Sequence, residues 1–217
     1  MEILPGNFNI YMIPPFLSLS VGLALAVTSV LKGKFRTENV LFAAVCIGYN
    51  LMSAVFLSHH LFKGRFDLIM LIERSVHCVY VFLPSVVFLY LYKAFGFRHR
   101  AVVIASFCFS ALLSVFVWTD YYFHGFYVYS WGYSAKGGLA FDIFGAYCFF
   151  AIIYFIFFFA RLIKRTTNQT DSLKLWYILL SFIIISGLTL LNVPAIRGFD
   201  FYPFGNFMFV PMSIMAF

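Results

Sequence analysis

Glu73 and His77 stand four residues apart in DLIMLIERSVHCVYVFLP, residues 67–84. On a helix that spacing puts a carboxyl and an imidazole on one face, with Arg74 on the adjacent face. The surroundings are apolar, so the three read as ionisable groups inside a membrane. There they are costly, and they turn toward a bundle interior or a wet cavity. At 1.5 Å per residue, Glu73 lies roughly 8 Å into its span and His77 about 14 Å. Asp142 opens a later span, Asn192 closes another at the same level, and Arg197 and Asp200 follow in the adjoining loop. Together they outline a ligand pocket in one half of the bundle, with Glu73 and Arg197 recognising charge. The stretch TDYYFHGFYVYSWGYSAKGGL, 119–139, is dense in rings. Its Trp131 and Tyr133 are expected as the apolar wall, since rigid aromatics give contact area at low entropic cost. The candidate ligand-binding set is therefore Glu73, Arg74, His77, Trp131, Tyr133, Asp142, Asn192 and Arg197. The same residues also make sense as a structural network. Glu73 would then pair with Arg74, Arg197 or Lys63, His77 would bond helix to helix, and the rings would form an interfacial belt.

Several chemistries find no support in the residue pattern. A retinal protein needs a lysine in a late span, and none follows Lys174. A membrane b-type haem needs two histidines at matched depth. Here His77 is mid-span, His59 and His60 read as an outer edge, and His99 and His124 fall in loops. No metalloprotease helix, P-loop or nucleophile elbow is present. The four cysteines, Cys46, Cys78, Cys108 and Cys148, form no C-x-x-C pair and lie in apolar runs as small packing residues. No catalytic residue, metal or cofactor is expected of these 217 residues.

The elements that must position these groups are membrane helices. The chain is 63% hydrophobic and 11% charged, with 31 Phe and 14 Tyr, whereas a soluble domain carries about 25% charged residues. Runs of about 20 apolar residues mark spanning helices at 11–31, 39–58, 68–92, 101–118, 140–160 and 176–196, with a seventh beginning near 207 and truncated at Phe217. The expected fold is one all-α membrane domain over 1–217, a seven-helix bundle. Lys32, Lys34, Arg36, Lys93, Arg98, Arg100, Arg161, Lys164, Arg165 and Lys174 fall on one side, against Lys63, Arg65, Lys136 and Arg197 on the other. The basic side should be cytoplasmic, which puts the N-terminus outside. This topology accounts for the net charge of +7 without nucleic acid as a partner. The N-terminus has an acid and no basic segment, so a cleaved signal peptide is not expected. Ser18, Gly22 and Ala26 follow the small-xxx-small spacing of close helix contact. Pro84 and Pro211 fall within spans three and seven, where a proline can kink the helix. Asn168 heads a glycosylation sequon on the predicted cytoplasmic side, where it is discounted.

Three stretches carry a resemblance. ERSVHCVYVFLPSVVFLYLYKAFG (73–96) has a mid-helix proline and a closing glycine. YSWGYSAKGGLAFDIFGAYCFF (129–150) brings a glycine ahead of helix five. NVPAIRGFDFYPFGNFMFVP (192–211) has a Pro-x-Gly after a short outer loop. In this order they resemble the N-terminal seven-transmembrane sensor region of bacterial histidine kinases and of related cyclases and phosphatases. The resemblance implies a receptor domain of the bacterial inner membrane that serves signal transduction of the two-component type. It would bind a small molecule or lipid and act as a homodimer through the full-length protein. The signal would leave through helix seven toward a cytoplasmic output domain that this chain lacks. No kinase, cyclase or phosphatase motif occurs here, so the chain itself is not expected to be an enzyme. A small transporter, a lipid-modifying enzyme or a structural subunit of a membrane complex are the alternatives.

Overall fold

The computed structural model describes residues 9–96, 99–208, 210–211 and 213. The chain is mostly helical. After a 3-10 turn at Ile10–Met12 come α1 (Ile13–Lys32), α2 (Thr37–Leu61), α3 (Phe66–Tyr80), α4 (Leu83–Ala94) and α5 (Arg100–Phe116). Two strands follow, β1 (Phe123–Tyr129) and β2 (Gly132–Gly137). The chain continues through α6 (Leu139–Arg165), α7 (Gln169–Leu190), the short α8 (Val193–Ile196) and a 3-10 turn at Phe204–Phe207.

Five helical stretches are long and apolar enough to cross a membrane: Ile10–Lys32, Thr37–Leu61, Phe66–Ala94, Leu139–Arg165 and Gln169–Ile196. Arg100–Phe116 is a shorter apolar helix. This pattern marks a multi-pass membrane protein. The described residues show six apolar helices where seven are expected. The seventh, from about 207, falls largely outside the described residues; Val210, Pro211 and Ser213 are helical. Large apolar side chains point outward along the helices, among them Phe16, Leu23 and Val27 on α1 and Phe150 and Phe157 on α6. A helix surface of this kind suits lipid, which is as apolar as the side chains themselves.

Two spans are interrupted, each beside a proline. Span three breaks at Val81–Phe82, and Pro84 stands in the first turn of α4. Span six breaks at Leu191–Asn192, and Pro194 opens α8. Proline has no N–H to bond four residues back, and its ring crowds that carbonyl. The first break is stapled by hydroxyls. Ser110 donates to the Val81 carbonyl (2.8 Å), Ser85 contacts Ser106 and Ser110 (2.7 and 2.8 Å), and Tyr147 completes the group from α6. In hydrocarbon such groups have no water to turn to, so they satisfy one another across α4, α5 and α6.

The stripe on α1 behaves as its spacing predicts. Ser18, Gly22 and Ala26 are all buried, on the face that packs against α2. A Cβ on Gly22 would run into the amide of Asn50. At the other helix, Asn168 caps α7 by accepting from Thr170 N–H at 2.9 Å.

The all-α expectation is corrected at 119–139. The segment is an antiparallel hairpin, with Tyr129 opposite Gly132, Val128 opposite Tyr133, Tyr127 opposite Ser134 and Phe126 opposite Ala135. Its turn is the two residues Ser130 and Trp131. Gly132 takes φ of +150°, a conformation that L side chains rarely adopt. Tyr133, Ser134 and Ala135 are buried in succession, so β2 is the covered strand of the pair, while Val128 on β1 is exposed. The hairpin sits at the end of the bundle that gathers the C-terminus of α2, the N-terminus of α3 and the α7–α8 connection.

Candidate functional site

Glu73 is buried on α3, and its partners differ from those expected. Its Oε1 lies 2.9 Å from His59 Nε2 and its Oε2 lies 3.2 Å from His77 Nδ1. None of Arg74, Arg197 and Lys63 pairs with it. Span two, read as ending at 58, runs one turn further to Leu61. That extension carries His59 into the bundle, where only 2% of the residue is exposed. His59 thus stays near the end of its span, as expected, but is turned inward and buried. The apolar Leu61 and Phe62 after the two histidines are the signal in the sequence that the helix continues.

The hydrogen count of the cluster follows from its acceptors. His59 Nδ1 lies 3.0 Å from the Tyr133 carbonyl, and a carbonyl only accepts, so this nitrogen carries a hydrogen. The other ring nitrogen faces the Glu73 carboxyl at ion-pair distance. His77 Nδ1 faces two acceptors, the carboxyl and the Glu73 carbonyl at 3.0 Å, and is a donor. A chain of contacts thus runs from the backbone of β2 through His59 and Glu73 to His77. Phe123, Tyr122, Tyr80 and Phe141 surround the His77 ring, with Phe123 edge-on at 4.7 Å. The Tyr122 hydroxyl is buried without a hydrogen-bond partner. Burial pushes that phenol well above its ordinary range, and Cys148, Tyr80 and Glu73 act in the same direction.

The remaining predicted residues do not join this cluster. Arg74 gathers the α5–β1 connection, donating to the carbonyls of Trp118 (3.0 Å) and Phe123 (2.8 Å) and to Asp120 (2.7 Å). Asp142 and Arg197 pair with each other near the surface, and Arg197 also donates to the Gly137 carbonyl at 3.2 Å. The buried side chain of Asn192 accepts from Gly205 N–H at 2.8 Å. These four act as fasteners and not as parts of one pocket. Trp131 donates its indole N–H to Asp200 at 3.0 Å and stacks on Tyr129, with ring centres 4.9 Å apart. Tyr129 donates to the Ala195 carbonyl at 2.7 Å. Burial, with Tyr127 and Asp200 nearby, raises the Tyr129 phenol.

Two of the predicted residues, Trp131 and Tyr133, do line a cavity. It is a cleft of about 410 Å³ between the hairpin and the end of α2, and His59, His60, Lys63, Tyr129 and Ser130 also border it. A second space of about 70 Å³ lies within the bundle beside the α3–α4 break, walled by Tyr49, Tyr80, Pro84, Phe155 and Ser186 among others. Its lining is mostly apolar, and it is far smaller than a drug-sized pocket. No cluster of His, Cys, Asp or Glu suited to a metal ion occurs among the described residues. The Glu73 cluster ties α2, α3 and β2 together in the bundle interior. Compared with family models, curated proteins and solved structures, the chain matches none of them.

Proposed function

We infer that this chain is a membrane sensor domain, in which the cleft under the hairpin receives a ligand and the hairpin passes the event into the bundle. The observation that carries the reading is the double anchorage of the hairpin. One anchor is the Tyr133–His59–Glu73–His77 chain, which ends one turn from the α3–α4 break. The other is the set Tyr129–Ala195, Trp131–Asp200 and Arg197–Gly137, which reaches the segment leading to the last helix. A ligand shifts an equilibrium only as far as it prefers one state over another. A ligand seated against the hairpin would alter both anchors at once. In this reading the bundle has seven spans in the bacterial inner membrane, with the N-terminus and the hairpin outside. The basic residues of the α1–α2, α4–α5 and α6–α7 connections face the cytoplasm, and a homodimer passes the signal through helix seven.

A transporter is the second reading, favoured by the two broken spans, since discontinuous helices form the sites of many carriers. The small apolar space beside the α3–α4 break does not offer the polar midplane site that such a mechanism uses.

The test is the natural reading frame beyond Phe217. A helical linker followed by kinase, cyclase or phosphatase motifs is expected. A stop codon within about ten residues, enough to finish the helix at 1.5 Å each, would remove the sensor reading and favour the carrier.

A further inference from the structure

Building on the sensor reading of the cleft, we propose that its ligand carries an anionic group, carboxylate or phosphate, joined to an apolar body. Lys63 and His60 recognise the charge, and the Tyr129–Trp131 stack takes the body.

The assignment begins with what the cleft wall lacks. Its described lining contains His59, His60 and Lys63 and no Asp or Glu. Two acids that touch residues of the cleft wall are both committed. Glu73 lies behind the His59 ring, held by two imidazoles, and Asp200 receives the Trp131 indole N–H. His59 is committed too, because the Tyr133 carbonyl and the Glu73 carboxyl occupy its two nitrogens. The polar side chains left to meet a ligand include the His60 ring, the Lys63 ammonium, the Ser130 and Tyr133 hydroxyls and the Asn9 amide, whose oxygen already accepts from Tyr11 N–H. Lys63 is exposed, and no carboxylate pairs with it among the described residues. His60 lies against the turn, its ring carbon 3.3 Å from where a Cβ on Gly132 would stand. Lys63 brings a positive charge that can only donate, the His60 imidazole and the Ser130 hydroxyl can each donate to the same group, and with no carboxylate in the lining that balance favours an anion. Ile10, Val128 and the stacked rings supply the apolar side of the same space. Its volume of about 410 Å³ falls within the range of small-ligand pockets.

This chemistry fits both a soluble organic anion and a lipid headgroup, because the cleft lies at the end of membrane-spanning helices. The experiment separates them. The whole chain is placed in phosphatidylcholine nanodiscs and titrated with 4-fluorobenzoate, 4-fluorobenzyl alcohol and 4-fluorobenzylamine, with binding followed by fluorine NMR. The benzoate is expected to bind saturably and the other two at least about tenfold more weakly, as for the loss of one charge-assisted hydrogen bond. Lys63→Gln lies at an exposed position and should keep the fold, judged by an unchanged melting temperature, while weakening the benzoate by a similar factor. Repeating the titration in discs that contain phosphatidylglycerol identifies the source. Competition assigns the cleft to an anionic headgroup, and an unchanged affinity assigns it to a soluble anion. Equal or tighter binding of the alcohol or amine would overturn the anion assignment and leave the cleft as a ligand site. Binding of none of the three, together with a melting temperature that phosphatidylglycerol does not raise, would also overturn it. The sensor reading stands or falls separately, on the reading frame.

Discussion

Glu73 is the residue on which the interior of this protein turns, because it is a carboxyl held away from water by two imidazoles. Removing one member of a buried polar set leaves the others unsatisfied, which costs more than the contact itself was worth. Glu73→Gln keeps an oxygen acceptor for one histidine and should lower stability by about 1–3 kcal/mol. Glu73→Ala strands both rings and should cost about 3–5 kcal/mol. Thermal unfolding of the two variants in detergent checks the order. Equal losses would mean that the two histidines have other partners. By contrast, the Asp142–Arg197 pair is well exposed, and such pairs contribute about 0–1 kcal/mol. Its service is to hold Gly137 in register, with Arg197 donating to that carbonyl. Arg197 was a natural candidate for ligand charge; in the fold its guanidinium holds Asp142 and the Gly137 carbonyl.

At the scale of elements, the hairpin is the part whose behaviour is most open to test. Its turn depends on Gly132, whose φ of +150° strains any side chain and whose Cβ would press on the His60 ring. Gly132→Val should strain the turn by about 1–3 kcal/mol and loosen β1 and β2 from the bundle. Limited proteolysis within 123–137 should then become faster, while the helices keep their far-ultraviolet signal. A hairpin as resistant as that of the wild type would show that its anchors, not its turn, set its order. The broken spans belong to the same scale. In each, a proline removes one backbone bond; at the first break Ser110 donates to the Val81 carbonyl, while at the second the Asn192 side chain reaches out to accept from Gly205 N–H.

Over the whole molecule, the first helix and the last described segment are joined although they lie nearly two hundred residues apart. Ser18 donates to the Asn206 carbonyl at 2.6 Å, and Tyr202 donates to the Tyr11 carbonyl at 3.3 Å. One turn below Ser18, Gly22 lets α1 close on Asn50 of α2. Gly22→Leu should force these helices apart, with an overpacking cost of about 1–3 kcal/mol. Because Ser18 moves with α1, backbone hydrogen exchange at 203–208 should accelerate in this variant. Ser18→Ala, which breaks only the one bond, should accelerate it less. An unchanged exchange rate at 203–208 in Gly22→Leu would show that α7 alone holds that segment.

How much of this was legible beforehand follows from the range of each interaction. Spans, joints and the small-residue stripe depend on hydrophobicity and helical spacing, which are local, so α1, α2, α5, α6 and α7 appear where composition puts them. The i, i+4 relation of Glu73 and His77 is equally local, and the two do share a partner face. His59 was out of reach because its contact with Glu73 joins two helices, and no periodicity records which turns of α2 and α3 come level. The hairpin was hidden by its aromatics, which serve a membrane interface as well as a strand until the bundle end offers one face to cover. Arg74, Asp142, Asn192 and Arg197 show the same limit from the other direction. Depth in the membrane placed them in one half of the bundle, but only the packing decided that Arg74, Asn192 and Arg197 would each hold a different backbone segment and that Asp142 would pair with Arg197. The sequence by itself determined a chain of apolar helices with a polar set in one half. The tertiary structure decided which of those polar groups are bound to one another, and so which are left facing the cleft.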